Sequence, residues 1–183
     1  MAYRNGNYIA FDGLGETDPT KSDFRYYASI QAWAAGKGFD FKYINSHDKT
    51  YAVRDTSLKN TLESRIRERL AASKNVVVIL SNETRKTGSM LSYEIEKAVD
   101  IYGLPLICAY TGYYKVVAPY ELSDRWPLAL KQRIDNGSAK ALHIPFKKAA
   151  LLDALNHTVH RNSLTSGLNY YSLEAHRQFG CLD

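Results

Sequence analysis

The chain has few residues of the kinds that form disulfides, bind metals or cross membranes. Its 183 residues include two cysteines, Cys108 and Cys181, without metal-ligand spacing or a nearby partner, so we expect reduced thiols. The longest apolar runs, VVVIL and LPLICAY, are far shorter than the roughly 20 residues that span a bilayer. The N-terminal MAYRNGNY is polar and does not resemble a secretory signal. These absences predict a soluble, cytoplasmic protein with no membrane partner.

Signatures of several enzyme classes are also missing. The chain has five histidines, but His157 and His160 lack an acidic or cysteine partner at metal-ligand spacing. No GxSxG sequence is present, which argues against a serine hydrolase. The loop of residues 12–22 could offer backbone N–H groups to a phosphate, yet Gly13 and Gly15 match neither the dinucleotide fingerprint nor a P-loop. We therefore expect no metal and no bound cofactor.

The net charge of +5 is spread along the chain rather than gathered into a patch. Lysines and arginines are interspersed with acids, as in ESRIRERL, which is typical of a solvated helix face. The 14 tyrosines could stack on bases, but without a basic stripe they do not indicate a nucleic-acid partner. With 45% hydrophobic residues, the chain can bury the core of one domain.

Five short apolar segments alternate with helical patterns, which predicts an α/β fold with a parallel sheet and helices on both faces. The predicted strands cover residues 8–11, 39–43, 76–80, 105–110 and 140–144. We predict one three-layer domain over residues 1–160 with strand order 2-1-3-4-5, which places strands 1 and 3 side by side at a topological switch point. Residues 161–183 are too apolar for a free tail. They pack on the domain or contact a second copy, and the sequence leaves both open.

The segment of residues 75–102 organises the chain as a buried strand, a polar loop and an amphipathic helix. Apolar side chains of this helix fall on one broad arc, and Glu94 lies inside it, between Ile101 and Ala98. A carboxylate there must be paired, be desolvated with a raised pKa, or face a cleft where a ligand meets it. The alternative is a carboxylate at the edge of the buried face that reaches solvent or pairs with an arginine.

Polar residues follow the ends of predicted strands 1 and 3. Asp12 ends the first of these strands, and Ser81 and Asn82 end the third. Because ligands of open α/β sheets bind outside the carboxyl ends of the strands, we expect these side chains to meet Glu94 at one cleft. Glu94 is therefore a candidate ligand-binding residue, and the alternative of a carboxylate at the edge of the buried face stays open.

Four segments, together with the order of the elements, carry a resemblance to a known family: Asp23-Phe24-Arg25, VVVILSNET, SYEIEKAV and LHIPF. Over residues 8–160 the chain resembles the TIR-like proteins of bacterial anti-phage defence, and among them the TIR-like component of Thoeris systems. It implies a flavodoxin-like, TIR-like fold. It also implies that the glutamate on the helix after strand 3, matched by Glu94, cleaves the bond between nicotinamide and ribose in NAD.

The resemblance further implies an NAD nucleosidase with ADP-ribosyl cyclase-like chemistry. NAD is then a substrate, the product is an ADP-ribose-derived nucleotide, cyclic or not, and the partners are an effector protein that reads this product and a phage-derived trigger. Many TIR domains carry a tryptophan four residues before the glutamate and a serine six before it. This chain has Met90 and Gly88 at those positions.

The chemistry that this resemblance implies needs no metal. Nicotinamide is a good leaving group, and a carboxylate near C1′ stabilises the oxocarbenium-like state that its departure creates. Phe11 and Tyr110 could flank the ring or ribose, Ser81 and Asn82 could hydrogen-bond sugar or amide groups, and the first loop after Asp12 could hold the pyrophosphate. Loop capping and core packing explain each of these residues equally well.

Two other functions fit the same sequence. One is a TIR-like interaction module without catalysis, which acts by assembling with itself or with a partner. The other is a nucleoside deoxyribosyltransferase-like enzyme, in which Glu94 attacks a sugar carbon covalently.

Overall fold

The fold is built around one strand that is buried on both faces. In a computed structural model, which describes residues 4, 6–16, 18–36, 43–44, 56–158 and 163–182, strand β3 covers Ser73–Leu80. Side chains 76 to 80 are wholly buried and alternate between two hydrophobic clusters, one on each face of the sheet. A β-branched apolar run suits a strand covered on both sides. The prediction of a buried strand over residues 76–80 is confirmed.

Strands and helices alternate along the chain. The strands are β1 (Gly6–Ala10), β2 (Tyr43–Ile44), β3, β4 (Leu106–Tyr110), β5 (Ala141–Pro145) and β6 (Asn169–Tyr170). The helices are α1 (Phe24–Ala35), α2 (Thr56–Ala71), α3 (Met90–Asp100), α4 (Leu128–Asp135), α5 (Lys148–Asp153) and α6 (Leu173–Gln178). Two 3₁₀ segments, Pro19–Lys21 and Pro119–Arg125, and one π segment, Ala154–Thr158, complete the described elements.

All described strand pairs are parallel, and the strands lie in the order β2-β1-β3-β4-β5-β6. The sheet thus has six strands where the sequence predicted five. The sixth comes from residues 169–170, a segment too short to give an alternating pattern. Only Tyr43–Ile44 of the second strand is described, so residues 39–42 of the predicted strand lie outside the described residues.

The two faces of the sheet carry separate cores. Tyr8, Leu91 and Ile95 belong to the cluster on the face that α2, α3 and α4 cover. Phe11 and Tyr27 belong to the cluster on the face that α1 and α5 cover. Because successive strand residues point to opposite faces, neighbouring positions in β1 contribute to different cores.

Residues 163–182 pack against the rest of the domain. Besides the pairing of β6 with β5, a ring nitrogen of His143 in β5 lies 2.7 Å from the carbonyl oxygen of Gly167. His176 in α6 is wholly buried, and its Nε2 accepts a hydrogen bond from the Val116 N–H at 3.1 Å. The segment is therefore part of the sheet and its surroundings. No helix within the described ranges has the length and apolarity to cross a bilayer.

Candidate active site

The helix that carries Glu94 begins after a tight turn. Gly88 has φ +76°, in the left-handed region that disfavours residues with a Cβ. Ser89 then has an extended backbone, and Met90 is the first residue of α3. The structure thus gives a conformational reason for glycine at position 88, where many TIR domains carry serine.

Glu94 is a buried acid with a single hydrogen-bond donor. The side chain is 3% exposed, and its Oε1 accepts a hydrogen bond of 2.6 Å from the hydroxyl of Tyr8. Its Oε2 has no hydrogen-bond partner among the described residues. Burial raises the pKa of Glu94 to about 8, while the Tyr8 hydrogen bond and the charge of Arg69 oppose this rise. The sequence left open whether this carboxyl is paired, is desolvated or reaches solvent. In the structure it is hydrogen-bonded to Tyr8 and desolvated, and it does not reach solvent.

Asp12 joins the loops that follow β1 and β3. It is wholly buried, and the guanidinium of Arg85 binds both carboxylate oxygens through Nε, each at 3.1 Å, and Oδ1 through Nη2 at 2.7 Å. Backbone N–H groups of Arg85 and Leu14 donate to the same carboxylate at 2.8 and 2.9 Å. With five hydrogen bonds to two oxygens, Asp12 holds the loops together and has little capacity left for a ligand.

Asp23 is a second buried acid at this end of the sheet. Its Oδ2 accepts a hydrogen bond of 3.0 Å from the Ser81 hydroxyl and a long one of 3.5 Å from Thr84, while Oδ1 has no partner among the described residues. Burial raises the pKa of Asp23 to about 6, and the Ser81 hydrogen bond opposes the rise. Asp23 was named from the sequence only within the segment Asp23-Phe24-Arg25 that carries the resemblance, and not as a site residue. Its side chain makes no cap hydrogen bond, and Ser22 accepts from the Phe24 N–H instead.

Ser81 and Asn82 have different environments. Ser81 is wholly buried, its hydroxyl binds Asp23, and its N–H donates to the Thr84 hydroxyl at 2.9 Å. Asn82 is exposed. The structure thus brings Asp12, Ser81 and the missed Asp23 together at the ends of β1 and β3, and leaves Asn82 at the rim.

Phe11 lies on the face opposite Tyr8. Its ring stacks on Tyr27 with centroids 5.4 Å apart and meets Phe24 edge-on at 6.1 Å. It contributes to the core between the sheet and α1, on the face away from Glu94. This position does not place its ring beside a sugar held at Glu94.

Tyr110 belongs to a closed hydrogen-bond network. Its hydroxyl accepts from Trp126 Nε1–H at 2.6 Å and lies 2.7 Å from His143 Nδ1. Because His143 Nε2 faces the Gly167 carbonyl, Nε2 carries the proton and Nδ1 accepts from Tyr110. Burial lowers the pKa of His143 to about 4, so the imidazole is neutral. The Tyr110 hydroxyl is therefore fully used inside the core.

The first loop uses several of its own N–H groups. Leu14 donates to Asp12, Glu16 donates to the Gly13 carbonyl at 3.0 Å, and Phe24 donates to Ser22. These donors are not available to the pyrophosphate that the sequence placed here. Within the described ranges, no group of histidine, cysteine, aspartate and glutamate could hold a metal ion.

A cavity of about 390 Å³ lies beyond the end of β4. Residues 112–118, Glu121, Leu122 and Leu182 line it. Glu94 and Asp12 are not among these lining residues, so this cavity is separate from the two acids.

Together, these features define an α/β domain of parallel strands with a buried glutamate on the helix that follows the central strand. A family model described as the Thoeris protein ThsB, TIR-like domain, matches residues 8–115, which is more than half of the chain. The chain therefore belongs to the family of the ThsB TIR-like domain of Thoeris anti-phage systems. The matched segment includes Tyr8, Asp12, Ser81 and Glu94, and the resemblance noted in the sequence is confirmed.

Proposed function

We propose that the protein is an NAD-consuming enzyme that releases nicotinamide and forms an ADP-ribose-derived nucleotide. The observation that carries the proposal is the burial of Glu94 together with its incomplete hydrogen bonding among the described residues. The chain belongs to a family of TIR-like domains. In this chain Glu94 is buried, its pKa is raised, and one of its carboxyl oxygens has no hydrogen-bond partner among the described residues. Perturbed acids of this kind are concentrated at functional sites.

The proposed chemistry breaks the bond between C1′ of the ribose and the nitrogen of nicotinamide. The bonding electron pair leaves with nicotinamide, which becomes neutral, and positive charge develops on C1′ and the ring oxygen. Ionised Glu94 stabilises that charge, and it acts most strongly in a water-poor site. A water molecule, or a nucleophilic atom of the same nucleotide, then captures C1′ and gives the linear or cyclic product.

The burial of Glu94 supports an enzyme that is inactive at rest. With 3% of the side chain exposed, C1′ cannot reach its oxygen until neighbouring groups move. We therefore propose that a phage-derived trigger opens the site and that an effector protein reads the product. Conformational steps of this kind commonly complete an active site only when they are needed.

The test is nicotinamide release from NAD, followed by chromatography, with and without lysate from infected cells. We expect wild-type protein to release nicotinamide in the presence of the trigger and Glu94→Gln to lose at least about two orders of magnitude of activity, as when a key electrostatic group is removed. Glu96→Gln is the matched control, because Glu96 lies on the same helix but is partly exposed and pairs with Lys97. Full activity of Glu94→Gln would refute the assignment.

A second candidate is a non-catalytic module that assembles with copies of itself. Exposed apolar side chains near the edge strand β6 favour it: Tyr170 is 51% exposed and Leu173 is 45% exposed. This function predicts no NAD turnover with any lysate and self-association that survives Glu94→Gln. Base exchange between nucleosides in the absence of NAD would instead favour the deoxyribosyltransferase-like reaction.

A further inference from the structure

The hydroxyl of Tyr8 makes the one hydrogen bond that the Glu94 side chain accepts within the described part of the chain. We propose that Tyr8 is the positioning residue of the site: it fixes one oxygen of Glu94 and leaves the other for the sugar of the substrate. The proposal rests on the proposed function and adds a second residue to it, one that acts through Glu94 rather than by touching NAD.

The position of Tyr8 is fixed by the sheet. It lies in the middle of β1, opposite Val76 of the central strand, and is wholly buried. Such a residue has almost no rotational freedom, because strands on both sides and the helices above confine it. A donor held in this way can set the orientation of a side chain on α3, which packs against β1.

The hydrogen bond divides the carboxyl into two unlike oxygens. The Oε1 oxygen lies 2.6 Å from the Tyr8 oxygen, a distance typical of a strong bond between a hydroxyl and a carboxylate. The Oε2 oxygen is buried and accepts no hydrogen bond from the part of the chain that the structure describes. Leaving a buried oxygen unsatisfied is unfavourable, and a ribose hydroxyl or the developing positive charge at C1′ would satisfy it.

The hydrogen bond from Tyr8 also affects the pKa of Glu94. Three groups act on its carboxyl besides burial: Tyr8 of β1 and Arg69 of α2 favour the charged form, and Asp12 beyond β1 disfavours it. Burial and Glu94 together raise the pKa of Tyr8 well above its ordinary value, so the phenol stays protonated and remains a donor. Loss of the Tyr8 hydroxyl should therefore make Glu94 harder to ionise.

The experiment compares wild type with Tyr8→Phe by two independent readouts. The first is the titration of the Glu94 carboxyl by NMR of ¹³C-labelled glutamate, with the resonance assigned through Glu94→Gln. The second is the pH dependence of kcat/KM for nicotinamide release, which reports ionisations of the free enzyme. We expect both midpoints to move upward by about one pH unit, which is a tenfold loss of ionised Glu94 at pH 7.

Tyr171→Phe is the matched control. The hydroxyl of Tyr171 also donates to a carboxylate at 2.6 Å, but that carboxylate is Asp153 at the end of α5. Its replacement should leave both readouts for Glu94 unchanged. A fluorinated tyrosine at position 8 keeps the shape of the side chain and donates more strongly, so it should move both midpoints downward even if Tyr8→Phe folds poorly.

The outcomes separate this proposal from the proposed function. Active enzyme whose pH profile does not respond to either change at position 8 overturns the positioning role, whatever the NMR titration shows. Wild-type protein that never releases nicotinamide refutes the proposed function. In that case the NMR titration alone tests whether Tyr8 affects the ionisation of Glu94. An unchanged midpoint for Glu94 would then refute the role of Tyr8 as well.

Discussion

Asp12 and Glu94 are two buried carboxyl groups near the same end of the sheet, and their surroundings differ sharply. Asp12 accepts five hydrogen bonds, three of them from a guanidinium. Within the described residues Glu94 accepts one, from the phenol of Tyr8, and burial raises its pKa to about 8. The comparison shows that burial alone does not indicate function. A fully paired acid stabilises the fold, whereas a poorly paired one retains the capacity to interact with a ligand.

The largest expected effect comes from removing the partner of Asp12. Arg85→Met leaves a wholly buried carboxylate without its compensating cation. Breaking a fully buried pair costs about 3 kcal/mol or more, and because the Arg85 side chain is itself 39% exposed, we expect a smaller loss of about 2 kcal/mol. We expect the free energy of unfolding in urea to fall by that amount.

Arg25→Met is the control for this change. Arg25 pairs with Glu83 at 3.6 Å, and the two side chains are 45% and 52% exposed. Exposed pairs contribute less than about 1 kcal/mol. If the two variants lost the same free energy of unfolding, the view that the Asp12–Arg85 pair stabilises the fold would be contradicted.

The next largest effect is a pH dependence of the free energy of unfolding, which the other acid, Glu94, should cause. Its pKa is about 8 in the folded protein against an ordinary 4.5, so the folded state binds the extra proton between these values. Stability should therefore fall as pH rises through this window, by up to about 1.4 kcal/mol per pH unit. Glu94→Gln should remove that slope above pH 6.

The measurement is the free energy of unfolding at several pH values for both proteins. Below about pH 6, Asp23 contributes a slope of the same sign, because its pKa is also raised, from 3.8 to about 6. The Glu94→Gln variant should keep the slope below about pH 6, because that slope comes from Asp23. A wild-type curve that is flat from pH 6 to 8 would show that Glu94 is already ionised in the folded protein.

The smallest expected effect is at Ser81, whose hydroxyl donates a hydrogen bond to Asp23. Its hydrogen bond to Asp23 lowers the pKa of that carboxyl against the effect of burial. Ser81→Ala should raise the pKa of Asp23 further above 6 and cost about 1 kcal/mol of stability. The pKa can be followed by NMR of ¹³C-labelled aspartate, and a lowered or unchanged value would argue against this contact.

Helix periodicity was sufficient to identify Glu94, because a charged residue inside an apolar arc stands out in the sequence alone. Strands β1, β3, β4 and β5 were found for a similar reason, since short apolar runs are distinctive. The partner of Glu94 could not be found in this way. Tyr8 lies 86 residues away, and the pairing depends on how α3 crosses β1.

The same limit applies to the pairing of Asp12 with Arg85, which are 73 residues apart. It also applies to Phe11 and Tyr110, which belong to different strands. Their rings lie in different cores because of the register between those strands, which alternation within one strand does not give. Their contact with a bound nucleotide stays a prediction.

The parallel pairing of β6 with β5 has a consequence for any shortened form of this chain. The family match ends at residue 115, but the sheet continues through Asn169–Tyr170. All five residues of β5 are buried, and without β6 this apolar strand would become the open edge of the sheet. Unprotected edges of this kind recruit strands from other molecules. A chain cut after residue 160 should therefore aggregate through β5, because the segment that the family model matches is shorter than the segment needed to cover this strand.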